Sequence, residues 1–383
     1  MQYFKRKFWL ERIQSAWQRR PIIWLTGVRR AGKTVLAQSL PDVEFFDCEL
    51  AKTRFFFEDV EAAFTTLKGK HVVLDEIHRL PEPAQVLKIA HDHFPSIRVL
   101  ATGSSTLSAS HHFKDTLTGR KEEIWLTPIN HQDLNDFHRL DMDHRMLHGG
   151  LPQFFLCDRV PDHDFEEWMD SYWSRDIQSL FRLERRAAFL KLLELLFVQS
   201  GSIFEASRFT APCEINRQTV RNYLSVLEST HIVHVLRPFS SRKTSEIISA
   251  PKTYAFDSGF VAYFNGWSEL RSEDRGRLWE HVVLNELHGF FPARRICYWR
   301  DKRGHEIDFV LTRPGKPPDI VECKWRQAEF DSRNLLSFRK SYPEGKNFVV
   351  CSDTDRPITR TVGGLPVAFL GLEHLGKALT QSV

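Results

Sequence analysis

The sequence predicts an α/β protein with an N-terminal parallel sheet, a helical and winged-helix middle segment, and a second α/β domain towards the C-terminal end. Short apolar runs alternate with longer mixed segments from Pro21 to about Pro128. Helical patterns then prevail, and strand patterns return around one long helix from about Thr253. A chain of 383 residues is also too long for one ordinary core. We therefore expect domains at residues 1–128, 129–185, 186–252 and 253–383.

Composition limits the classes of function open to the chain. The 53 lysines and arginines against 49 acidic residues give a formal charge of +4, which permits nucleic-acid contact but excludes a polycationic binder. Six cysteines stand singly without CxxC pairs, so neither a disulfide framework nor a zinc ribbon is indicated. No apolar run approaches the roughly 20 residues of a spanning helix, and charges interrupt the N-terminal segment too often for a signal peptide. We predict a cytoplasmic protein without membrane contact.

The first sheet is predicted from five runs of strand length, which are PIIWLT, VEFFD, HVVLD, IRVLAT and EIWLT. The mixed segments between these runs alternate with them in the rhythm that is typical of a parallel α/β sheet. Ligands of such sheets bind beyond the carboxyl ends of the strands. The residues that follow each run are therefore the candidates for a binding site.

The segment GVRRAGKT follows the first strand and precedes the helix VLAQSL. Its GxxxxGKT spacing is that of a Walker A loop, where glycines let backbone amides approach phosphate and the helix N-terminus adds its positive end. We expect Lys33 to reach the β- and γ-phosphates of ATP and Thr34 to ligate Mg²⁺. A chance glycine-rich turn is the alternative. For Arg29 and Arg30, contact with phosphate or with a neighbouring subunit stays open, but we prefer solvated positions. The predicted nucleotide-binding residues are Gly27, Val28, Arg29, Arg30, Ala31, Gly32, Lys33, Thr34 and Val35.

A second motif stands at the right distance from the first. HVVLDEIH delivers Asp75 and Glu76 to the carboxyl end of a strand, where Asp75 would hold the metal and Glu76 would polarise the attacking water. This acid pair favours hydrolysis over nucleotide storage. The next strand, IRVLATGSS, ends in hydroxyls, and we select Ser104 as the sensor of the γ-phosphate, with Thr102 and Ser105 as alternatives. An ordinary serine-rich turn also fits this segment.

The middle of the chain is predicted to be helical, with EEWMDSYWSRDIQSLF as its clearest amphipathic stretch. Two helices, FLKLLELLF and EINRQTVRNYLSVLES, and the strand IVHVLRPF follow, an order that suits a winged helix. In the second of these helices Val220, Leu224 and Leu227 share one face. Arg217 and Arg221 point elsewhere, where they would be free to contact phosphate.

Acids and a lysine converge in the predicted C-terminal domain. We expect a strand that ends near Asp308, a hairpin through RPGKPPD, and a returning strand that carries Glu322 and Lys324. Glu322 and Lys324 share a face because the side-chain period of a strand is two. All three side chains are therefore expected on neighbouring strands.

The ordered motifs resemble those of the prokaryotic AAA+-type ATPases that carry an uncharacterised C-terminal domain with a nuclease-like core. The resemblance covers nearly the whole chain and rests on GVRRAGKT, LDEIH, ATGSS, LTGR, LTPI, GGLP, YAFDSG, WEHVVLNEL, YWR, HEIDFVL and VECKW. It implies an ATPase core, a winged-helix segment and a restriction-endonuclease-like fold. It also implies that Arg120, in LTGR, is a candidate for acting on nucleotide, including across a subunit boundary. A structural or surface role for this arginine is the alternative.

The C-terminal acids are similar to the D…ExK pattern of the PD-(D/E)xK nucleases. This resemblance implies that Asp308 and Glu322 hold Mg²⁺, that Lys324 orients or activates water, and that Glu280 is the extra acid of the preceding helix. Ile307 stands where the proline that names the pattern would be. Short D…ExK strings also recur by chance, and a nuclease fold can persist as a binding platform.

These observations predict an AAA+-type ATPase whose ATP binding and hydrolysis drive or gate a nuclease-like domain that acts on or binds nucleic acid, with DNA preferred. Homo-oligomerisation stays open. One alternative is an ATP-switched module with an inactive C-terminal fold and a protein partner. The other is a regulator that reads DNA through the winged helix alone.

Overall fold

The first domain is a parallel α/β unit, as the sequence predicted. The computed structural model describes residues 4–103, 117–181, 183, 185–240 and 250–380. The strands of the first sheet are β1 (Ile22–Thr26), β2 (Val43–Asp47), β3 (His71–Asp75), β4 (Arg98–Thr102) and β5 (Lys121–Trp125). All five are parallel, in the order β2-β3-β4-β1-β5. The helices are α1 (Lys7–Arg19), α2 (Lys33–Gln38), α3 (Ala51–Phe56), α4 (Val60–Thr66) and α5 (Pro83–His93).

Both faces of this sheet are covered. In β1, Ile23 and Leu25 pack into a cluster that includes residues of α1 and α2, whereas Ile22 and Trp24 pack into a second cluster with residues of α4 and α5. Every residue of β1 is buried, which explains why the run is apolar from Ile22 to Leu25 and does not alternate. The two layers of helix fix the strands, so that their carboxyl ends present the following loops at one edge.

The middle region is mostly helical. Its helices are α6 (His131–Leu134), α7 (Met142–His148), α8 (Pro152–Phe155), α9 (Asp162–Tyr172), α10 (Gln178–Phe181), α11 (Arg186–Val198), α12 (Thr210–Cys213) and α13 (Arg217–Ser229), with a π-helical turn at Trp173–Ile177. Strands β6 (Ser202–Ile203), β7 (Val233–Leu236) and β8 (Lys252–Ala255) form an antiparallel sheet in the order β6-β8-β7. Strand β8 spans the domain boundary that we predicted at residue 252.

The C-terminal domain is a separate mixed sheet, as expected for a second α/β unit. Its strands are β9 (Ile296–Arg300), β10 (Glu306–Arg313), β11 (Lys316–Lys324), β12 (Asn347–Cys351), β13 (Ile358–Val362) and β14 (Leu365–Leu370). They lie in the order β13-β14-β12-β11-β10-β9, with parallel pairing between β11, β12 and β14. The helices of this part are α14 (Ser258–Phe264), α15 (Ser272–Phe290), α16 (Ser332–Ser341) and α17 (Leu372–Thr380).

Strand β10 is irregular at Asp308. Ile307 and Val310 pack on the side of α16, whereas Phe309 and Leu311 belong to the cluster that includes α15. Pairing with β9 shifts register between Ile307 and Val310, which is the signature of a bulge that re-aims the intervening side chain. The prediction that a strand ends near Asp308 is therefore wrong, because β10 begins at Glu306 and runs on through this position.

The regions pack against one another through a shared hydrophobic core. The ring of Trp168, on α9, lies parallel to that of Phe256, with centroids 5.2 Å apart, and contacts Phe260 edge-on at 4.7 Å. The same cluster takes in residues of β1, α11 and α15. Across the described ranges, no helix combines the length and apolarity needed to cross a membrane.

Candidate functional site

The predicted Walker A loop connects β1 to α2. Gly32 has a φ of +93°, in the left-handed region that favours glycine, and no side chain caps the first turn of α2. The amides of that turn are therefore open to an anion. The Lys33 ammonium folds over the loop and donates to the carbonyl oxygens of Gly27 at 2.9 Å and Val28 at 3.2 Å. Burial lowers the pKa of Lys33, against an opposing effect of Glu76.

Asp75 is held from both sides at the end of β3. Thr34 Oγ1 donates to Asp75 Oδ2 at 2.9 Å, and Thr102 Oγ1, from the neighbouring β4, donates to Oδ1. Burial raises the pKa of Asp75, and the two hydroxyls oppose this rise. A threonine hydroxyl and a carboxylate side by side fit Mg²⁺, which prefers oxygen ligands and keeps several waters. The structure thus brings together the predicted metal pair of this domain.

Glu76 follows Asp75 in a left-handed conformation, with φ +53°. Its backbone N–H donates to Thr102 Oγ1 at 3.0 Å, and its Oε2 lies 3.1 Å from His78 Nδ1. Burial alone would raise the pKa of Glu76, but His78 and then Lys33 outweigh it, and the pKa is lowered. The carboxylate is therefore ionised at neutral pH, as polarisation of water requires. Sequence reasoning missed His78, although it stands within the LDEIH motif itself.

The arginines of the loop are bound to the middle region. Arg29 Nε lies 2.9 Å from Asp176 Oδ2, and an Arg30 guanidinium nitrogen lies 2.6 Å from Glu167 Oε1. Trp168 Nε1 also donates to the carbonyl oxygen of Arg29 at 3.2 Å. The expectation that the arginines are solvated is therefore wrong. Asp176 belongs to the π-helical turn, a feature that often marks functional sites, and its charge raises the pKa of Lys33.

Of the three candidate sensors of the γ-phosphate, only Thr102 lies among the described residues. Ser104, which we selected, and Ser105 lie outside the described residues. Thr102, the other alternative, is fully buried. Its hydroxyl joins the carboxylate of Asp75 to the backbone of Glu76. Thr102 therefore fixes both acids of the second motif.

Arg120 and the Walker A loop lie at opposite ends of the strands of the first sheet. It precedes β5, which is parallel to β1, so it stands near the amino ends of the strands, roughly 16 Å of strand away from the loop. Its guanidinium contacts both oxygens of Asp92, at 3.0 and 3.2 Å. These hydrogen bonds lower the pKa of Asp92 to about 2. Arg120 is thus not part of the phosphate site of its own chain.

The predicted C-terminal residues come together around the β10 bulge. Asp308 Oδ2 accepts a hydrogen bond from the backbone N–H of Cys323 at 2.8 Å. Lys324 Nζ lies 3.2 Å from Glu322 Oε2 and 3.7 Å from Asp308 Oδ2. Because one ammonium contacts both, the two carboxylate oxygens lie within about 7 Å of each other. The two acids are buried, whereas Lys324 is partly exposed.

Negative charge accumulates at this site. Burial, and next the charge of Asp308, raise the pKa of Glu322 to about 8 and that of Glu280 to about 7. Burial opposes protonation of Lys324, but Asp308 and Glu322 raise its pKa overall. Glu280 lies on α15, and its Oε2 accepts a hydrogen bond from Tyr254 at 2.9 Å. Lys324 therefore contacts two of the three carboxyl groups, and the Tyr254 hydroxyl contacts the third.

Glu322 Oε1 is buried without a hydrogen-bond partner among the described residues. A buried carboxylate oxygen that lacks a partner is costly, and a bound cation would satisfy it. Asp308 and Glu322 would supply two oxygen ligands to such a cation, and Mg²⁺ usually takes one or two carboxylates and completes its shell with water. Within the part of the chain that the structure describes, no set of three or more acids, histidines or cysteines has metal-binding geometry. The two carboxylates are nevertheless oxygen donors of the kind that Mg²⁺ prefers.

The middle region presents a polar helix face. Val220, Leu224 and Leu227 of α13 are buried, as predicted, and Arg217 and Arg221 are exposed beside this apolar face. The N-terminus of α13 is capped by Asn216, whose side chain accepts from the N–H of Thr219 at 2.8 Å. The helix that carries the two exposed arginines therefore has a capped N-terminus.

Family models match three consecutive segments of the chain. Residues 19–135 match the family described as an AAA domain. Residues 139–271 and 275–370 match two families described as Domain of unknown function (DUF8612) and Domain of unknown function (DUF4143). Together with the loop geometry, the first match supports an AAA+-type P-loop ATPase domain. The other matches give no activity for the remainder of the chain.

Two relatives are similar to this chain over most of its length. The uncharacterized protein Rv2008c of Mycobacterium tuberculosis is 27% identical over 370 residues, which cover 93% of this chain and 82% of the relative. The uncharacterized protein MJ1544 of Methanocaldococcus jannaschii is 22% identical over 360 residues, covering 84% and 78%. Among solved structures, the S. cerevisiae Hsp104–ADP complex covers 75% of this chain and 42% of its own, with 13% identity and a TM-score of 0.30. A score this low carries no argument about this chain.

Proposed function

We propose that the N-terminal domain binds and hydrolyses ATP. The observation that carries this proposal is the arrangement of Asp75, with Thr34 on one oxygen and Thr102 on the other, beside the open first turn of α2. Lys33 would exchange its two carbonyl partners for the β- and γ-phosphates. Thr34 and Asp75 would hold Mg²⁺, which supplies charge neutralisation when bound. Glu76 would accept a proton from the attacking water.

Two substitutions separate binding from turnover. Lys33→Ala removes a charge from the phosphates, and we expect loss of tight binding of a fluorescent ATP analogue. Glu76→Gln removes only the basic oxygen, and we expect binding to persist while phosphate release stops. Equal turnover in Glu76→Gln and the parent protein would refute the assignment of Glu76.

We propose further that the C-terminal site is a Mg²⁺-dependent phosphodiesterase site that acts on nucleic acid. The unpartnered Oε1 of Glu322, beside Asp308 and Lys324, is the observation that supports this. Asp308 and Glu322 would hold the cation, which supplies Lewis-acid chemistry. Lys324 would orient the water and stabilise the charge that develops on the phosphate. Glu280 would add negative charge beside them.

One experiment tests both activities. The purified protein is incubated with ATP, Mg²⁺ and assorted DNA and RNA, and phosphate release and strand cleavage are measured separately. We expect Asp308→Ala, Glu322→Ala and Lys324→Ala to abolish cleavage and to leave ATP hydrolysis intact, because the two sites lie on separate sheets. Cleavage that survives Lys324→Ala would contradict the proposed mechanism.

A second candidate function is an ATP-switched binding protein with an inactive C-terminal site. It is favoured by the position of Lys324, whose ammonium already contacts both carboxylates. In this case the lysine neutralises the acids and no cation is needed. Thermal denaturation separates the two candidates, since Mg²⁺ or Mn²⁺ raises the midpoint of a metal-binding site and Asp308→Ala removes that increment.

The winged-helix segment is proposed to contribute nucleic-acid affinity through phosphate contacts. The exposed Arg217 and Arg221 of α13 support this. Arg242 and Lys243, which are expected to assist them near the wing, lie outside the described residues. Reversal of the charges of Arg217 and Arg221 should weaken DNA binding and reduce the steepness of its salt dependence. An unchanged salt dependence would indicate a structural connector or a protein-binding surface.

A further inference from the structure

A lysine and a tyrosine from the middle region enter the carboxylate site. Lys252 and Tyr254 lie two residues apart on β8, so their side chains leave the same face of the strand. Strand β8 is the central strand of the three-stranded sheet that it forms with β6 and β7. One strand of the winged-helix segment therefore contributes two side chains to a site on the C-terminal sheet.

Lys252 and Tyr254 form a continuous series of contacts between Glu306 and Glu280. Lys252 Nζ forms an ion pair with Glu306 and lies 3.5 Å from the hydroxyl of Tyr254. The Tyr254 hydroxyl in turn donates to Glu280 Oε2 at 2.9 Å. Glu306 begins β10, two residues before Asp308. The lysine and the tyrosine thus join the carboxylate of α15 to the strand that bears the bulge.

Both side chains are removed from solvent. Tyr254 is 0% exposed and Lys252 is 5% exposed, which is rare for a lysine without acidic partners. Burial lowers the pKa of Lys252, but Glu280, then Asp308 and Glu306, more than compensate, so the ammonium stays charged. The Lys252 ammonium is therefore stabilised by the acids of the site and not by water.

We propose that Lys252 and Tyr254 are positioning residues of the carboxylate site, which is shared between the winged-helix segment and the C-terminal domain. The inference rests on the cation-binding role proposed above for Asp308 and Glu322. Tyr254 holds Glu280 in one orientation beside Asp308. Lys252 offsets part of the negative charge of the acids and so limits how strongly the site attracts a cation.

The test measures Mn²⁺ binding, with Mn²⁺ alone as the probe and the full chain as the protein. Free Mn²⁺ is followed by electron paramagnetic resonance, and the portion of binding that Asp308→Ala removes defines the C-terminal site. The variants are Tyr254→Phe and Lys252→Gln. Tyr298→Phe is the matched control, because the Tyr298 hydroxyl donates to the carbonyl oxygen of Ala250 at 2.6 Å, next to the same strand. Thermal midpoints are recorded for every variant.

We expect Tyr254→Phe to weaken Mn²⁺ binding about tenfold, as loss of an orienting hydrogen bond does at other metal sites. Lys252→Gln should strengthen it several-fold, because a positive charge leaves the surroundings of the cation. Tyr298→Phe should leave the affinity unchanged. Opposite effects of the first two variants would not arise from a general loss of stability.

The outcomes are distinguishable. Unchanged affinity in Tyr254→Phe and Lys252→Gln, with binding still lost in Asp308→Ala, would overturn the positioning roles and leave the proposed metal site intact. Weakening in both variants, together with lowered thermal midpoints, would assign them to structural support and also overturn the inference. Absence of any Asp308-dependent Mn²⁺ binding by the parent protein would remove the proposed function and this inference with it.

Discussion

The buried carboxyl group of Glu286 makes stability depend on pH in a direction that the structure determines. Glu286 lies on α15 and is 0% exposed. It accepts hydrogen bonds from the backbone N–H of His131 at 2.9 Å and from the Gln132 side chain at 3.3 Å. Burial raises its pKa from 4.5 to about 7. The residue thus ties α15 to α6 through a group whose charged form is disfavoured.

The sign and size of the pH effect on stability follow from the linkage between proton binding and folding. The folded state holds the Glu286 proton more tightly than the unfolded state does, so it binds more protons between the two pKa values. The contribution of the protonated Glu286 carboxyl to the free energy of unfolding is fully present below pH 4.5 and is lost as the pH rises through about 7. At about 1.4 kcal/mol for each tenfold difference in proton affinity, the loss amounts to about 3 kcal/mol in the free energy of unfolding.

The perturbation is Glu286→Gln, whose amide oxygen can still accept from His131. We expect parent and variant to have similar stability at pH 5 and the variant to be more stable by about 3 kcal/mol at pH 8. Urea denaturation at pH 5, 6, 7 and 8 measures the difference. Glu273→Gln, which changes an exposed carboxyl on the same helix, is the control and should follow the parent. An identical pH dependence in parent and Glu286→Gln would refute the reasoning.

Three further predictions concern the ATPase domain. Thr102→Val removes the hydroxyl that joins Asp75 and Glu76, and calorimetry should record a stability loss of about 1–3 kcal/mol with turnover reduced more than ATP affinity. Asp176→Asn removes a negative charge near Lys33, and fluorescent-nucleotide titration should give several-fold tighter binding. The control is Asp170→Asn, which changes an exposed ion pair with Arg186 and should leave nucleotide binding unchanged. Arg120→Ala should leave the nucleotide affinity unchanged. If Arg120 acts across a subunit boundary, activity per chain rises with protein concentration in the parent and not in the variant.

The parallel sheet and the closeness of the Walker A residues to the acid pair were predictable because both depend on local spacing. A Walker loop follows one strand and an acid pair ends another, so the strand-end rule places Lys33 near Asp75 without knowledge of packing. The partner of Arg29 was not predictable. Asp176 lies 147 positions away on a π-helical turn, and only the packing of α9 against the loop joins them.

The C-terminal site was predictable in its residues but not in its backbone. Alternation correctly gave Glu322 and Lys324 as neighbours on one strand. The bulge at Asp308 was missed because one extra residue leaves the apolar pattern almost unchanged. Lys252 and Tyr254 also share the period of two, but their strand belongs to another sheet, and no sequence pattern reports contact between sheets.

The two sites are joined by contiguous packing that passes through β8. Trp168 donates to the carbonyl oxygen of Arg29 in the phosphate loop and stacks on Phe256, the residue that follows β8. Tyr254, within that strand, holds Glu280 at the carboxylate site.

Contact alone does not establish energetic coupling, which requires an element with two arrangements that both sites bias. The π-helical turn is the part of this route that lies nearest the loop, because its Asp176 forms an ion pair with Arg29 of the loop itself. Coupling between the sites would therefore appear as a change of Mn²⁺ affinity on addition of ATP that Trp168→Leu abolishes.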